Sequence, residues 1–434
     1  MLVVHSAGPL HRLKRMLMMH LNLMSWGIAA TTTLAVIARP FKLPEAIWAV
    51  AGAVLLVVCG LLPAGMALQA VGKGSDVYLF LFGMMLLSEL GRQEGLFDWV
   101  AVQAVNHAQG SPRKLFLLVY LSGIVVTTFL SNDAAAVVLT PAVYAAAKKA
   151  RTAPLPLLYA CAFIANAASF VLPISNPANI VLYGNHTPAL LPWLARFSLP
   201  AVLAIGATYF LLRWSQRKEL VGVCEAHVDQ VPLSASGKIA LLGISVTAVA
   251  LLLVSAFDLQ LGLPTALMGV LTVAVVLLKR RGSCWPLIKD ISWSIMPLVA
   301  GLFVLVQMLD YTGVIGALSE ALRDAVLRGA SMTAFYCGVL IALGSNLINN
   351  LPAGLIASAT IAQAHAPEKV IDALLIGVDL GPNLSVTGSL ATILWLNVLR
   401  REGEHVVFWT FLKVGAVVML PAMLLAAVAR IAMG

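Results

Sequence analysis

Long apolar runs recur along the whole sequence, and they constrain its fold more than any other feature. Of the 434 residues, 60% are apolar and 11% are charged, whereas soluble domains carry about a quarter charged residues. A helix of roughly 20 apolar residues crosses a hydrocarbon core about 30 Å thick, and runs of that length follow one another here. The sequence therefore predicts an all-α polytopic membrane protein.

Ten apolar segments are predicted to cross the membrane. They are residues 24–38, 44–62, 76–91, 154–184, 190–212, 239–257, 263–279, 291–309, 370–399 and 409–432. Two of them, 154–184 and 370–399, contain Gly, Pro, Ser and Asn near the middle and are expected to be broken helices. Irregular backbone at membrane depth is tolerated where it is buried in protein or lines a wet cavity.

Two further apolar stretches are expected to form re-entrant hairpins. Residues 115–147 are interrupted by Ser131-Asn132-Asp133, and residues 332–363 by Asn349-Asn350-Leu351-Pro352. The hairpin tips are predicted to meet the broken helices near the midplane.

The polar segment 213–238, predicted to be a cytoplasmic linker, divides the chain into two halves, 24–212 and 239–434, that match feature by feature. Their polar positions pair as Asn132-Asp133 with Asn349-Asn350, Asn166 with Asp379, Ser175-Asn176 with Gly388-Ser389, and Asn179-Ile180 with Thr392-Ile393. Matched halves of this kind indicate an internal repeat.

The orientation of the halves follows from the number of crossings and the positions of cations. Five crossings per half is an odd number, so the second half is expected to be inverted. Lys148, Lys149 and Arg151 follow the first hairpin, whereas residues 362–369 hold one lysine. The positive-inside rule places the first loop in the cytoplasm and both termini outside. Because the cations of residues 1–23 disagree with this, we expect either that the natural chain begins near Met24 or that the tail is a disordered extension.

Neutral polar residues cluster at the four breaks and are predicted to bind a polar solute together with the helix ends. These candidate substrate-binding residues are Asn132, Ser175, Asn176, Asn179, Asn349, Asn350, Asn383, Ser389 and Thr392. A structural role as helix caps is the alternative, because Ser and Asn favour N-cap positions.

Two carboxylates, Asp133 and Asp379, lie within apolar stretches beside these breaks. A charge at the bilayer centre costs on the order of 3 kcal/mol on insertion scales and is usually retained for a function. Desolvation penalises the charged form of a carboxylate, so both residues are predicted to carry protons.

Other chemistry-bearing residues do not form recognisable sites. The five cysteines and eight histidines show no metal-ligand spacing, so neither a metal nor a cofactor is expected. The net charge of +9 comes from short clusters between apolar runs, which argues against nucleic-acid binding. No H-E-x-x-H or G-x-S-x-G motif supports an intramembrane enzyme.

The polar motifs at the four breaks, taken together, resemble those of the ArsB arsenite efflux permeases of the ion transporter superfamily. The resemblance covers about residues 24–434, and Asp379-Leu-Gly-Pro-Asn-Leu-Ser-Val-Thr-Gly-Ser-Leu-Ala-Thr-Ile-Leu-Trp-Leu396 is its most specific part. It implies a carrier in the inner membrane that exchanges cytoplasmic arsenite or antimonite for protons, alone or with a soluble ArsA-type ATPase.

Two positions depart from that family's pattern. Asn166 stands where members carry an aspartate, and Asn383 stands where some members carry a lysine. A sodium- or proton-coupled carrier of a small anion such as a dicarboxylate, on the same fold, remains the alternative function. Relatives of that kind carry Ser-Asn-Thr at the hairpin tips, whereas this chain has Ser-Asn-Asp and Asn-Asn.

Overall fold

A computed structural model describes residues 9–184, 187–229 and 232–434, with side chains from residue 19 onward. The described residues form twenty α-helices, and no strand occurs among them. These are α1 (Pro9–Ala38), α2 (Glu45–Val58), α3 (Ala64–Lys73), α4 (Ser75–Gln93), α5 (Leu96–Ala108), α6 (Pro112–Phe129), α7 (Thr140–Lys149), α8 (Pro154–Ala167), α9 (Pro177–Tyr183), α10 (Leu190–Ser215), α11 (Ala235–Ala256), α12 (Gly262–Arg280), α13 (Trp285–Asp290), α14 (Ile295–Tyr311), α15 (Val314–Arg328), α16 (Ala330–Ile348), α17 (Asn350–Ala364), α18 (Glu368–Leu380), α19 (Leu390–Arg401) and α20 (Phe408–Ala432).

The interruptions in the apolar stretches are real breaks between helices. The first hairpin stretch folds as α6, a π-helical turn at Ala134–Leu139 and α7, and the second folds as α16 and α17. The predicted broken helices are α8 with α9 and α18 with α19, each pair separated by a short irregular segment. Pro at the first turn of α9 and Gly381-Pro382 after α18 account for these interruptions, because proline cannot continue a helix from the preceding turn.

Eight described helices are long and apolar enough to cross a bilayer, or nine if the bent pair α3 and α4 forms one span. Two of the eight, α6 and α16, are arms of the hairpins, whereas α2 and α8 have 14 residues each. The chain is thus an all-helical, multi-span membrane protein. The further prediction of five crossings per half cannot be read from helix length, because broken helices divide a crossing between two short segments.

The predicted N-terminal tail lies partly outside the described residues. Residues 1–8 are not described, whereas residues 9–23 belong to the same helix as residues 24–38.

The helices form two compact units, and each unit combines segments from both sides of the linker. The first consists of residues up to 75 with 293–321, and the second of 76–292 with 322–434. In the first unit, α14 lies so close to α2 that a Cβ on Gly301 would be 2.7 Å from the carbonyl carbon of Ala49. Trp26 also donates to the Thr312 hydroxyl at 3.0 Å.

In the second unit, α4 packs against α11, α12 and α13. A Cβ on Gly83 would lie 2.3 Å from the carbonyl oxygen of Thr265, so a side chain there would displace α12. The contact is completed by an apolar cluster that consists of Leu86, Leu90, Ala240, Val273, Val276, Leu287 and Ile291. Helix α4 of the first half thus packs against helices of the second half, and α14 of the second half packs against α2 of the first.

The linker lies against both ends of the first hairpin. The backbone N–H of Cys224 donates to the carbonyl of Gly110 at 3.0 Å, and that of Glu225 donates to Ala150 at 2.8 Å. Arg151 pairs with the Glu225 carboxylate at 3.2 Å. These bonds connect the segments before α6 and after α7 through the same stretch of linker.

Replacing Gly83 with alanine is expected to lower the free energy of unfolding by about 1–3 kcal/mol, because the added methyl group overlaps the α12 backbone. Gly206 on α10 is the control, since a Cβ there meets no atom within 4 Å. Thermal unfolding of the purified variants in detergent measures the stability of each. Equal stability of Gly83→Ala and Gly206→Ala would contradict this close approach.

Candidate functional site

The two broken helices, α8–α9 and α18–α19, bring their irregular segments together inside the second unit. Helix α9 begins after Asn176, whose side-chain oxygen accepts from the N–H of Ala178 at 3.0 Å. Helix α19 begins after Ser389, whose hydroxyl accepts from the N–H of Thr392 at 3.1 Å. Each break is therefore stabilised by a side-chain N-cap, which satisfies backbone donors that hydrocarbon could not.

Asp379 is the charged group at the centre of this site. Its Oδ1 accepts from the Asn176 amide nitrogen at 2.7 Å, and the residue is 0% exposed. Its Oδ2 has no hydrogen-bond partner in the described part of the chain. Because Asn176 caps α9 through its oxygen and donates through its nitrogen, its amide is fixed in one orientation. One carboxylate oxygen thus remains available inside a buried polar site.

The position in the first half that matches Asp379 is occupied by Asn166, which belongs to a network of neutral side chains. Asn166 donates to the Asn383 side-chain oxygen at 2.9 Å and to the Thr392 hydroxyl at 3.5 Å. The Asn383 amide nitrogen donates to the carbonyl of Phe163 at 2.9 Å. Thr392 and Ser389 share a hydrogen bond at 2.8 Å. The structure therefore joins three predicted site residues, Asn383, Ser389 and Thr392, with Asn166 in one buried network.

Two other predicted residues are engaged with the backbone of the first break. The Asn179 amide nitrogen lies near three carbonyls, those of Ser169, Leu172 and Pro173, at 2.8, 3.2 and 3.4 Å. The hydroxyl of Ser175 donates to the carbonyl of Thr128, at the end of α6, at 3.0 Å. These contacts hold the irregular segment in shape and connect it to the first hairpin.

The tip of the first hairpin combines a local cap with a carboxylate. The Asn132 side chain accepts from the N–H of Asp133 at 3.0 Å, and the Ser131 hydroxyl accepts from Ala134 at 3.3 Å. Asp133 is half-buried, and none of the described hydrogen bonds reaches its carboxylate. Capping and a free carboxylate therefore coexist at this tip.

The tip of the second hairpin carries two amides instead. Asn349 combines a φ of 72° with a ψ of 151°, a strained backbone conformation that is otherwise almost confined to glycine, and its side-chain oxygen accepts from the N–H of Leu351 at 3.4 Å. The backbone N–H of Asn350 donates to the carbonyl of Gly388 at 2.9 Å. Each hairpin tip is thus bonded to the break of its own half.

Sequence reasoning missed two polar groups. Asn346 on α16 accepts from Ser385 at 2.7 Å and donates to the carbonyl of Gly381 at 3.0 Å, so it supports the second break. Its position three residues before Asn349 in an apolar helix was the available signal. The other is a buried ion pair between Asp372 and Arg430. Among the described residues, no group of His, Cys, Asp or Glu is arranged to hold a metal ion.

Replacing Asn179 with leucine is expected to lower the free energy of unfolding by at least about 2 kcal/mol, because buried carbonyls lose their donor. Asn350→Ala is the control, since it removes no described side-chain hydrogen bond. Its effect is expected to stay below about 1 kcal/mol. Thermal unfolding in detergent compares them, and an Asn179→Leu variant as stable as the control would show that the carbonyls do not need this amide.

Comparisons with known proteins agree with this architecture. The profile of a family described as citrate transporter, CitMHS, matches residues 32–379. An arsenical pump membrane protein of Yersinia enterocolitica is 30% identical over 353 residues, which is 78% of this chain and 82% of the relative. One from Escherichia coli is 29% identical over 416 residues, or 92% and 96%.

A solved structure supports the fold independently of close sequence similarity. The crystal structure of the Alcanivorax borkumensis YdaH transporter matches with a TM-score of 0.58 at 17% identity, covering 84% of this chain and 86% of that one. With a broken-helix site in an all-helical membrane protein and this extent of similarity, the chain belongs to the ArsB/CitMHS family of membrane transporters, which are permeases and not enzymes.

Proposed function

We propose that this chain exports trivalent arsenic or antimony, as arsenite or antimonite, in exchange for protons. The observation that carries the proposal is Asp379, a fully buried carboxylate with one oxygen bonded to Asn176 and the other unpartnered among the described residues. A transport cycle that moves protons needs a buried group that binds and releases them. The identity of the cargo is inferred from the arsenical pump membrane proteins, which are 29–30% identical to this chain over most of its length.

The neutral character of the remaining groups supports an uncharged polar cargo. Trivalent arsenic is mainly As(OH)₃ near neutral pH, and its hydroxyl groups donate and accept hydrogen bonds. Apart from Asp379, the hydrogen-bonding side chains described in the two breaks are amides and hydroxyls. The proposed binding residues are Asn132, Ser175, Asn176, Asn179, Asn349, Asn350, Asn383, Ser389 and Thr392, with Asn179 and Asn383 acting mainly by shaping the breaks.

The carboxylates follow a complementary arrangement between the halves. At the hairpin tip the first half has Asp133 and the second has Asn350, whereas at the broken helix the first has Asn166 and the second has Asp379. Each half therefore contributes one carboxylate and one amide at matching positions. We propose that Asp133 and Asp379 together carry the protons.

The order of helices supports two inverted repeats of five crossings. Ten helices, α1–α10, precede residue 216, and ten, α11–α20, follow residue 234. In both sets the sixth and seventh form the hairpin, and the eighth and ninth form the broken helix. Opposed repeats would place both breaks near the midplane, and rocking of part of each repeat against a scaffold would give alternating access. The proposed domains are residues 24–212 and 239–434, joined by the cytoplasmic linker 213–238.

A small-anion carrier is the second candidate, because the matching family profile is described as citrate transporter. A multiply charged anion would need cations beside it, and the buried Arg430 is already paired with Asp372. We therefore favour arsenite. We further propose that the protein acts in the inner membrane and that an ArsA-type ATPase is its partner where such a subunit is present.

Transport into everted membrane vesicles from cells without their own efflux system tests the cargo. Arsenite and antimonite are expected to accumulate when a proton gradient is imposed, and cells expressing the protein should resist both. Citrate and succinate serve as competitors. Citrate uptake without arsenite uptake would replace the proposal with the small-anion alternative, and stimulation by an ATPase subunit would identify the partner.

Asp379→Asn is expected to reduce arsenite-coupled proton movement to the level of empty vesicles, because the amide cannot bind and release a proton. Asp310→Asn is the matched control, since Asp310 is exposed at the end of α14. Proton movement is followed with a pH-sensitive dye. Unchanged coupling in Asp379→Asn would remove Asp379 from the mechanism.

Exchanging a carboxylate between the halves tests the proposed repeats. Asp133→Asn alone is expected to lower coupled transport, whereas Asp133→Asn with Asn350→Asp restores a carboxylate at the matching position. If the two tips are equivalent, the double variant transports arsenite faster than Asp133→Asn. A double variant no better than the single one would argue against equivalence of the hairpin tips.

A further inference from the structure

A buried charged cluster lies away from the proposed cargo site, at the far end of the contact between α9 and α18. Asp372 on α18 is 0% exposed and Arg430 on α20 is 3% exposed. Two nitrogens of Arg430, Nε and Nη2, converge on Asp372 Oδ2 at 2.7 and 2.6 Å. The hydroxyl of Tyr183, the last residue of α9, donates to Asp372 Oδ1.

The cluster reaches the surface through Arg196 on α10. Arg196 lies 3.9 Å from Asp372 Oδ1 and pairs with the exposed carboxylate of Glu368 at 2.7 Å. Removing one partner of a buried ion pair leaves an uncompensated charge and is strongly destabilising. Asp372 is therefore held in place from three sides, by α9, α10 and α20.

The residues that join α9 to α18 in this cluster and in the candidate site are separated by the same number of residues on both helices. Asp372 and Asp379 are seven residues apart on α18, about two helical turns or roughly 10 Å, and lie nearly on one face. Asn176 and Tyr183 are also seven residues apart, at the two ends of α9. Because Asn176 bonds to Asp379 and Tyr183 to Asp372, the two helices run antiparallel and α9 is held at both ends.

Helix α9 needs such anchors because it is short. It has seven residues, whereas isolated helices shorter than about 12 residues are marginal in water. Its middle packs against α17, where a Cβ on Gly354 would make only ordinary van der Waals contact with Val181, at 3.9 Å. A shift of α9 along α18 would separate the Asn176 amide from Asp379.

We propose that Asp372 and Arg430 form a positioning site: they fix Tyr183 and thereby set the register of α9 in which Asn176 meets Asp379. This extends the proposed function, since it assigns residues remote from the cargo to the geometry of the proton-binding group. Within the proposal, Asp372 and Asp379 have different tasks on one helix. Asp372 is paired with a cation and anchors α9, whereas Asp379 lacks such a pairing and exchanges the proton.

Tyr183→Phe tests the positioning site with a minimal change, since the ring that packs on Trp193 at 5.6 Å between centroids is retained. Tyr159→Phe is the matched control, because the Tyr159 hydroxyl is buried without a described hydrogen-bond partner. Hydrogen exchange of the purified, full-length protein is measured at the α9 amides. Faster exchange is expected in Tyr183→Phe at Ala178, at the opposite end of α9, and not in Tyr159→Phe.

Arsenite transport supplies the second readout. Tyr183→Phe is expected to lower the maximal rate roughly tenfold, the equivalent of one hydrogen bond to a charged group. The half-saturating arsenite concentration should change less than about twofold, because the groups that bind cargo remain. In the background Asn176→Ala, adding Tyr183→Phe should cause no further loss, since register matters only through Asn176.

Several outcomes would overturn the proposal. The first is faster amide hydrogen exchange in Tyr183→Phe that is confined to the Tyr183 end of α9. The second is an additive loss of transport rate when Tyr183→Phe is combined with Asn176→Ala. The third is a Tyr183→Phe protein that behaves like Tyr159→Phe. If the wild-type protein moves no arsenite, the proposed function fails, and the exchange at Ala178 alone then decides the positioning role. If Tyr183→Phe does not fold, Asp372→Asn with Arg430→Gln removes both charges together, and the same exchange pattern is expected.

Discussion

The hydrogen bond from Asn176 to Asp379 is the contact on which the arrangement of the site depends. It joins the start of a helix in the first half of the sequence to the end of a helix in the second half. The same amide caps α9, so the local structure of one break and the partner of the buried carboxylate are set by one side chain. An aspartate at position 176 could still cap the helix, but an ionised carboxylate could not donate this bond.

The other polar residues of the breaks resolve a conflict between function and membrane burial. Helix ends at membrane depth offer amide and carbonyl groups to a cargo, yet each unsatisfied group costs free energy. Asn179 donates to the carbonyls of the first break, and Asn346 supports the second. Groups that face the site can stay open because the remaining backbone groups are paired within the protein.

The two proposed repeats differ in the residues that pack around each broken helix. The position of Asp372 on α18 corresponds to that of Tyr159 on α8, at the same offset that relates Asp379 to Asn166. Tyr159 lies in an aromatic cluster with Trp395 and Phe411, at ring distances of 5.8 and 6.1 Å. One broken helix is thus anchored by charge and the other by aromatic packing, and the carboxylate that faces the site lies on the charged side.

The sequence by itself determined that the chain is an all-helical membrane transporter, and it located the breaks between α6 and α7, α8 and α9, α16 and α17, and α18 and α19. Hydrophobic length and the helix-breaking effect of Pro, Gly and Asn act locally, so these features are readable without a structure. Asn132, Asp133, Asn176, Asp379 and Ser389 were predicted as site residues for the same reason, because polar residues in apolar runs stand out.

Only the tertiary structure decided which of these residues meet. Partners such as Asn176 and Asp379 are 203 residues apart, and their contact depends on how α9 packs against α18. The packing of α4 against α12 and of α14 against α2 is equally invisible in the sequence, because it rests on glycines that allow close approach. The contact between Asp372 and Arg430 likewise became visible only in the structure, since burial of an ion pair is a property of the fold and not of either residue.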